Sequence, residues 1–165
     1  FIIFDLIILM IFYTMRLLAG YVPLASVPSS WLLSFSIFLF FSLSLLKRYI
    51  ETIILLGENN VVKISGRGYT INDRNLLMTI GVSSSLVAGL VLLLYTASDN
   101  VTVLYNRPII LIALVPIYLY WVTWMWFMAE RGKIKSDPVI FAIKNKSTYF
   151  VLACLIIVGL LAGIK

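Results

Sequence analysis

The sequence predicts an all-α membrane protein in which about five helices cross the bilayer. Of its 165 residues, 62% are hydrophobic and only 12% are charged, whereas an ordinary globular domain carries about 25% charged residues. The mean hydropathy is +1.05, and most of the charges lie in two connections between apolar runs. A soluble core of this length has too little interior to hide so much apolar surface, so lipid must cover the remainder.

Each predicted span is an apolar run, since a helix needs roughly 20 mostly apolar residues to cross about 30 Å of hydrocarbon. Five runs qualify, at residues 1–19, 30–46, 76–96, 108–128 and 148–164. The second run is short. However, Lys47 and Arg48 can reach the interface with their long side chains, and residues 49–56 can continue the same helix.

We treat residues 1–165 as a single transmembrane domain. The chain begins with Phe1, and its first apolar run lacks the basic flank and the small-residue cleavage site that are typical of a signal peptide. We therefore expect the chain to be part of a longer protein.

The two charged connections predict the orientation. Residues 47–75 carry five cations against three carboxylates, and residues 129–147 carry five against two, while the other connections hold only Asp99 and Arg107. With five spans the two rich connections fall on the same side, which the positive-inside rule makes cytoplasmic. We expect an integral protein of the inner or plasma membrane.

Small residues at four-residue spacing predict close helix packing. Gly81, Ser85 and Gly89 form one such stripe, and Gly159 and Gly163 form another; small side chains let helices approach each other within lipid. A further set of residues is typical of an aromatic belt at the membrane surface. It consists of Trp121, Trp124 and Trp126.

Missing residue types narrow the possible chemistry. The chain has no histidine and a single cysteine, Cys154, so imidazole-based triads, histidine zinc sites and internal disulfides are excluded within it. Any metal would be a hard cation held by oxygen ligands from the seven carboxylates. We expect no nucleic-acid partner.

The most informative stretch lies at the end of the second span. On a helix Lys47 and Glu51 share a face, with Arg48 about a third of a turn away. Two cations can bind phosphate oxygens there, and the carboxylate can hold Mg²⁺ bridging the same phosphate. The other interpretation is a basic flank that obeys the positive-inside rule, with Glu51 as an incidental ion-pair partner. Spacing alone favours the plain flank.

Two further features support an anion site. Residues 66–74 form a glycine-containing loop with Arg67 and Arg74, which suits an anionic substrate. Thr70 or Asn72 can also cap the third span, and a capped loop needs no function. Asp5 lies within an apolar run, where ionisable residues are costly and usually face a bundle interior. We expect Asp5 to approach the Lys47 cluster.

Segments spread over the whole chain carry a resemblance to a known family. They are Asp5, residues 15–20, 30–33 and 41–51, residues 67–69 with Asp73, and residues 131–132 and 137–142. Together they resemble the C-terminal half of the UbiA superfamily of intramembrane prenyltransferases, most closely the branch similar to decaprenyl-phosphate phosphoribosyltransferase.

The resemblance implies a nine-helix bundle around a cavity that opens towards lipid, of which this chain would supply helices five to nine. Two polar motifs of that family bind a diphosphate through Mg²⁺, and the second maps to Lys47, Arg48 and Glu51. The first, of the Asn-Asp-x-x-Asp type, is absent from this sequence. We expect it in a missing N-terminal half, without which the chain is inactive.

The implied activity is transfer of a prenyl or phosphoribosyl group with diphosphate as the leaving group. An isoprenoid lipid and a diphosphate-bearing co-substrate would be the partners, within the lipid bilayer. The resemblance assigns Lys47, Arg48, Arg67, Tyr69 and Asp5 to substrate binding, and Glu51 and Asp73 to catalysis, with Glu51 also on the metal. The alternative is a non-enzymatic transporter or membrane-complex subunit, and a transporter should place its polar site near the bilayer midplane.

Overall fold

The computed structural model describes residues 2–21, 29–57, 70–135 and 137–163. These residues form α-helices and short 3₁₀ turns, with no β-strand among them. The helices are α1 (Ile2–Tyr21), α2 (Ser30–Gly57), α3 (Arg74–Thr96), α4 (Asp99–Leu104), α5 (Leu114–Glu130), α6 (Pro138–Lys144) and α7 (Lys146–Gly163). The 3₁₀ turns are Ile71–Asp73 and Pro108–Ala113.

Among the described residues, five helical segments are long and apolar enough to cross a membrane, which confirms the predicted fold class and span count. The second span does continue past Lys47 and Arg48, as expected, because α2 has 28 residues and measures about 42 Å at 1.5 Å per residue. The fourth span, Pro108–Glu130, begins as a 3₁₀ turn before it becomes α5.

Two short helices lie in connections where none was predicted. Of these, α6 follows a clear local signal: the Asp137 carboxylate accepts a hydrogen bond from the Val139 amide at 2.9 Å, and Pro138 occupies the first turn. Both features are typical of helix starts. With six and seven residues, α4 and α6 are too short for hydrophobic periodicity to reveal them.

The core is centred on α2, α3 and α5. The Gly81 stripe of α3 faces the other two helices, because a Cβ added at Gly81 would clash with the Trp126 indole ring and lie 3.2 Å from Leu45 Cβ. One added at Gly89 would lie 3.2 Å from Leu119. The prediction of close packing at this stripe is therefore confirmed.

Side-chain hydroxyls join these three helices across their interfaces. Ser42 of α2 donates to the Gly81 carbonyl at 2.8 Å, and Ser84 of α3 donates to the Phe38 carbonyl at 2.8 Å. Tyr118 of α5 donates to the Ser85 carbonyl at 3.0 Å. Such bonds and small residues drive helix association in lipid, where apolar side chains gain nothing by leaving it.

Two packing predictions were wrong for the described residues. Nothing among them lies within 4 Å of a Cβ added at Gly159 or Gly163, so the second stripe makes no close helix contact there. Trp126 is only 5% exposed and packs against Tyr49 with ring centroids 5.6 Å apart. It is a core residue rather than part of a surface belt, because the glycine at position 81 leaves room for its ring.

One end of the bundle holds the ion pairs of the described residues, and we call it the charged end. It is formed by the last turns of α2, the start of α3, the end of α5 and the connection that leads into α6. The opposite end carries α4 and Arg107, whose amide donates to the Ala162 carbonyl of α7 at 3.1 Å.

Candidate functional site

Arg48 is the buried centre of the charged end. It is 2% exposed, and its Nη1 donates to both carboxylate oxygens of Glu51, at 2.7 and 2.9 Å. Its Nη2 lies 2.5 Å from Asp5 Oδ2 on α1, an ion pair without hydrogen-bond alignment. Its Nε finds no acceptor among the described residues. A buried guanidinium thus ties α1 to α2.

This geometry confirms that Asp5 lies close to the charged residues at positions 47–51. It also shows ion pairs among those residues that differ from the expected ones. Spacing pointed to Lys47 and Glu51 as partners on one helix face. In the fold, Glu51 binds Arg48 three residues away, and Lys47 binds an acid from another part of the chain. The roles of these residues in binding a substrate stay predictions.

Lys47 reaches the second charged connection. Its Nζ donates to Asp137 Oδ2 at 2.9 Å, and the Tyr13 hydroxyl of α1 approaches the same oxygen at 3.4 Å. The two side chains of the ion pair are 30% and 20% exposed. The pair holds the start of α6 against α1 and α2 beside Arg48, so the second connection contacts the helix that carries Lys47.

The Asp137 carboxylate is held in its charged form. Burial alone would raise its pKa, but the hydrogen bonds from Lys47 and from the Val139 amide outweigh that effect, and its pKa lies below the ordinary value of 3.8. Asp137 is therefore ionised at neutral pH and available as the partner of Lys47.

Arg74 links three of the helices at the same end. Its Nη2 lies 2.5 Å from Glu130 Oε1 at the end of α5. Its Nε and Nη2 also donate to the hydroxyl of the fully buried Tyr49, at 3.3 and 3.2 Å. The guanidinium sits 5.5 Å from the centre of the same ring. Arg74 thus joins the ends of α2, α3 and α5 around a tyrosine.

Asp73 has a local partner in the turn before α3. Its Oδ2 accepts hydrogen bonds from the Thr70 amide at 2.8 Å and from the Thr70 hydroxyl at 2.9 Å. Asp73 itself occupies the N-cap position of α3 without a side-chain cap, so the prediction that Thr70 or Asn72 caps this helix was wrong. The predicted site residues Arg67 and Tyr69 lie outside the described residues.

The charge balance limits what the site can hold as it stands. The ion pairs set three cations, Lys47, Arg48 and Arg74, against the four carboxylates of Asp5, Glu51, Glu130 and Asp137. Among these groups the acids exceed the bases by one. A diphosphate that binds these groups alone would have to displace a carboxylate from its cation or bring a cation with it.

Magnesium fits this donor set only in part. No group of three potential metal ligands occurs among the described residues, and the two carboxylates that meet at one point, Asp5 and Glu51, share Arg48. Mg²⁺ sites for phosphate substrates often use only one or two protein carboxylates, with phosphates and water completing the shell. Glu51 and Asp5 could supply those one or two carboxylate ligands, and the described residues offer no further ones beside them.

The sequence alone did not single out Asp137, Glu130 and Tyr13. The Asp137-Pro138 pair marks a helix start and lies in a segment that carried the family resemblance, so a signal was present for it. No pattern in the sequence pointed to Glu130 or Tyr13. Their roles follow from helix ends and faces that meet only in the folded chain.

Two curated proteins are similar to the chain. It is 31% identical over 148 residues to an uncharacterized protein, y4nM, of Sinorhizobium fredii, covering 89% of this chain and 28% of that protein. It is 31% identical over 161 residues to the nodulation protein NoeC of Azorhizobium caulinodans, covering 97% of this chain and 50% of that protein. The chain thus spans half or less of each relative.

No protein-family model matches the chain, and no solved structure matches it. The two relatives carry names that state no enzymatic reaction. Membership of the UbiA superfamily therefore stays an expectation from the sequence.

Proposed function

We propose that the chain is part of a membrane-embedded transferase that moves a prenyl or phosphoribosyl group with diphosphate as the leaving group. The lipid substrate would be a polyprenyl chain or its phosphate. The observation that carries this proposal is a pair of adjacent cations: the buried Arg48, whose Nε has no acceptor among the described residues, and the partly exposed Lys47. The orientation follows from the positive-inside rule, with the charged end facing the cytoplasm of an inner or plasma membrane.

Arg48 and Lys47 suit two different tasks at such a site. A buried guanidinium held by two carboxylates is already oriented, so it would stabilise negative charge without reorganising. Lys47 is bound to a single, partly exposed carboxylate. A phosphate oxygen arriving at this end would take over Lys47 from Asp137, because a charge-assisted bond to phosphate can replace the one to the carboxylate.

The proposed chemistry is stabilisation of the charge that develops on the leaving diphosphate. Lys47 and Arg48 would bind its oxygens, and Arg67 from the preceding loop would add a third cation. In this proposal Glu51, with Asp5 across the same guanidinium, supplies the chain's share of ligands for a Mg²⁺ ion. That ion would neutralise the diphosphate further. Asp73 and Tyr69 would support the loop.

The position of the charges favours the transferase over the transporter. Transporters usually bind their cargo near the bilayer midplane at broken helices. In the described part of this chain, every ion pair lies at one end of the bundle. A site at the membrane surface is where a water-soluble diphosphate and a lipid substrate can meet.

The test uses the full-length protein reconstituted in lipid, with phosphoribosyl diphosphate or a prenyl diphosphate as donor and polyprenyl phosphate as one of the acceptors. Diphosphate release is measured for the wild type, Lys47→Ala and Glu51→Ala. We expect both variants to lose transfer, by roughly a hundred-fold or more, since each removes a group that acts on the leaving diphosphate.

The matched control is Arg107→Ala, an exposed arginine at the opposite end, which should transfer at the wild-type rate. Insertion and melting temperature are compared for all variants, so that loss of activity is separated from loss of fold. Unchanged transfer in both Lys47→Ala and Glu51→Ala would refute the site. No diphosphate release from any donor by the wild type would refute the proposed reaction.

A further inference from the structure

We propose that one face of the fourth span binds an anionic phospholipid of the surrounding bilayer, with the lipid phosphate on Arg131. The groove along this face runs from Pro116 to Arg131 and has a volume of about 600 Å³. Its lining includes Tyr120, Thr123 and Phe127, all of them exposed. This inference is independent of the transferase proposal, because it uses none of the residues of that site.

The groove has the length and lining of an acyl-chain site. Its residues recur every three or four positions, so they form a single stripe along the helix. From Pro116 to Arg131 the helix rises about 22 Å, which exceeds the roughly 15 Å depth of hydrocarbon in one leaflet. Near Pro116 and Tyr120 the stripe meets a second groove of about 260 Å³, shared with Phe150 and Cys154 of α7. One chain of a phospholipid fits along it.

Arg131 gives the groove a charged end. It is exposed, and its guanidinium sits 5.8 Å from the centre of the Phe127 ring, directly over the groove lining. The two carboxylates of residues 129–147 form ion pairs with other cations: Glu130 binds Arg74 and Asp137 binds Lys47. The positive charge of Arg131 is thus left for a ligand from outside these pairs.

The surrounding charge selects the headgroup. The same connection carries four further exposed cations: Lys133, Lys135, Lys144 and Lys146. A single cation close to the membrane surface favours an anionic lipid by about 1 kcal/mol, which corresponds to about a five-fold preference. An apolar groove that ends at an arginine within a basic surface matches a lipid with two apolar chains and a net negative phosphate.

Quenching of Trp124 fluorescence tests the proposal, since this residue lines the groove. The full-length protein is placed in bilayers that contain brominated phosphatidylglycerol or brominated phosphatidylcholine at equal mole fractions. The Trp124 contribution is the difference between the protein and its Trp124→Phe variant. We expect phosphatidylglycerol to occupy the groove about five-fold better. Arg131→Gln should remove most of this preference and leave only the contribution of the four lysines of the same connection, whereas Arg131→Lys and the control Arg107→Gln should keep it.

Three outcomes would overturn the proposal. Equal quenching by the two lipids would mean that the headgroup is not selected. Absence of quenching by either lipid would mean that another part of the protein covers the stripe. Loss of the phosphatidylglycerol signal on adding a trace of polyprenyl phosphate would assign the groove to that lipid instead.

Discussion

The inner and outer helices of the bundle are held by different interactions. In an 18-residue apolar stretch of each inner span, which are α2, α3 and Pro108–Glu130, 33%, 33% and 28% of the residues are buried. In the outer spans the shares are 6% for α1 and 11% for α7. The inner helices interlock through Gly81, Ser42 and Ser84, where backbones approach closely and hydroxyls cross the interface.

The outer helices are attached by a few polar contacts and ring pairs. The ion pair of Asp5 with Arg48 and the stacking of Tyr13 on Phe40 join α1 to α2. A hydrogen bond from Trp121 to the Thr148 hydroxyl joins α7 to α5. In lipid an apolar face gives no drive for association, so a helix at the edge depends on the few polar groups that can find partners.

The largest expected effect is on the attachment of α1. Arg48→Met removes the buried guanidinium that the partly exposed carboxylates of Asp5 and Glu51 share, which should cost up to about 3 kcal/mol of stability, the low end of the range for a fully buried pair. Thermal unfolding in detergent measures it. The double variant Asp5→Asn/Arg48→Met should recover part of the loss, because the carboxylate charge of Asp5 is removed together with the guanidinium that balances it. A single variant as stable as the wild type would show that packing, not this ion cluster, holds α1.

A smaller change in stability is expected when a glycine of an inner helix, Gly81, and one of an outer helix, Gly159, are each replaced by alanine. Gly81→Ala pushes a methyl group into the buried Trp126 ring, and overpacking of this kind typically costs about 1–3 kcal/mol. Gly159→Ala meets open space among the described residues, so stability should stay the same or rise by up to about 1 kcal/mol from helix propensity. Equal destabilisation by both, measured by unfolding in the full-length protein, would mean that α7 is packed as tightly as α3.

The smallest change in stability is expected from the partly exposed ion pair of Asp137 with Lys47, which holds α6 against α1 and α2. Because the pKa of Asp137 is lowered in the fold, the contact is fully formed above the ordinary value near 3.8 and is lost as the pH falls through the lower folded value. The protection factor of the Val139 amide, which is its exchange rate relative to the intrinsic rate at the same pH, should therefore be unchanged from neutral pH to about pH 4 and lower below it. Asp137→Asn removes the charge that Lys47 binds and should show a lower protection factor that does not change with pH. An acid-induced change in the Asn variant equal to that of the wild type would assign the effect to another group.

The fold could be predicted because lipid imposes a simple length requirement on apolar runs. All five spans were found, and the α2 extension followed from the ability of Lys47 and Arg48 to reach the interface. The short helix α6 was missed because seven residues show no periodicity, although Asp137-Pro138 is a typical helix start. Trp126 was misplaced because burial of an indole depends on the opposing glycine of another helix.

The candidate site could be predicted only to the level of its residue types. Lys47, Arg48, Glu51 and Asp5 do gather at one end of the bundle. Their pairing was not predictable, since Lys47 takes its partner from 90 residues further along the chain. Sequence spacing describes neighbours on one helix, whereas the partner of a helix-end cation is set by which helix ends meet in the fold.

The ion pair between α1 and α2 also bears on how the chain enters the membrane. A carboxylate in a transmembrane helix raises the free energy of insertion by up to about 3 kcal/mol at the bilayer centre, and less towards the end where Asp5 lies. Arg48 carries the compensating charge in the next span to be synthesised. We therefore expect the translocon to release α1 and α2 together as a helical hairpin, since α1 leaves its costly charge unmatched until α2 arrives.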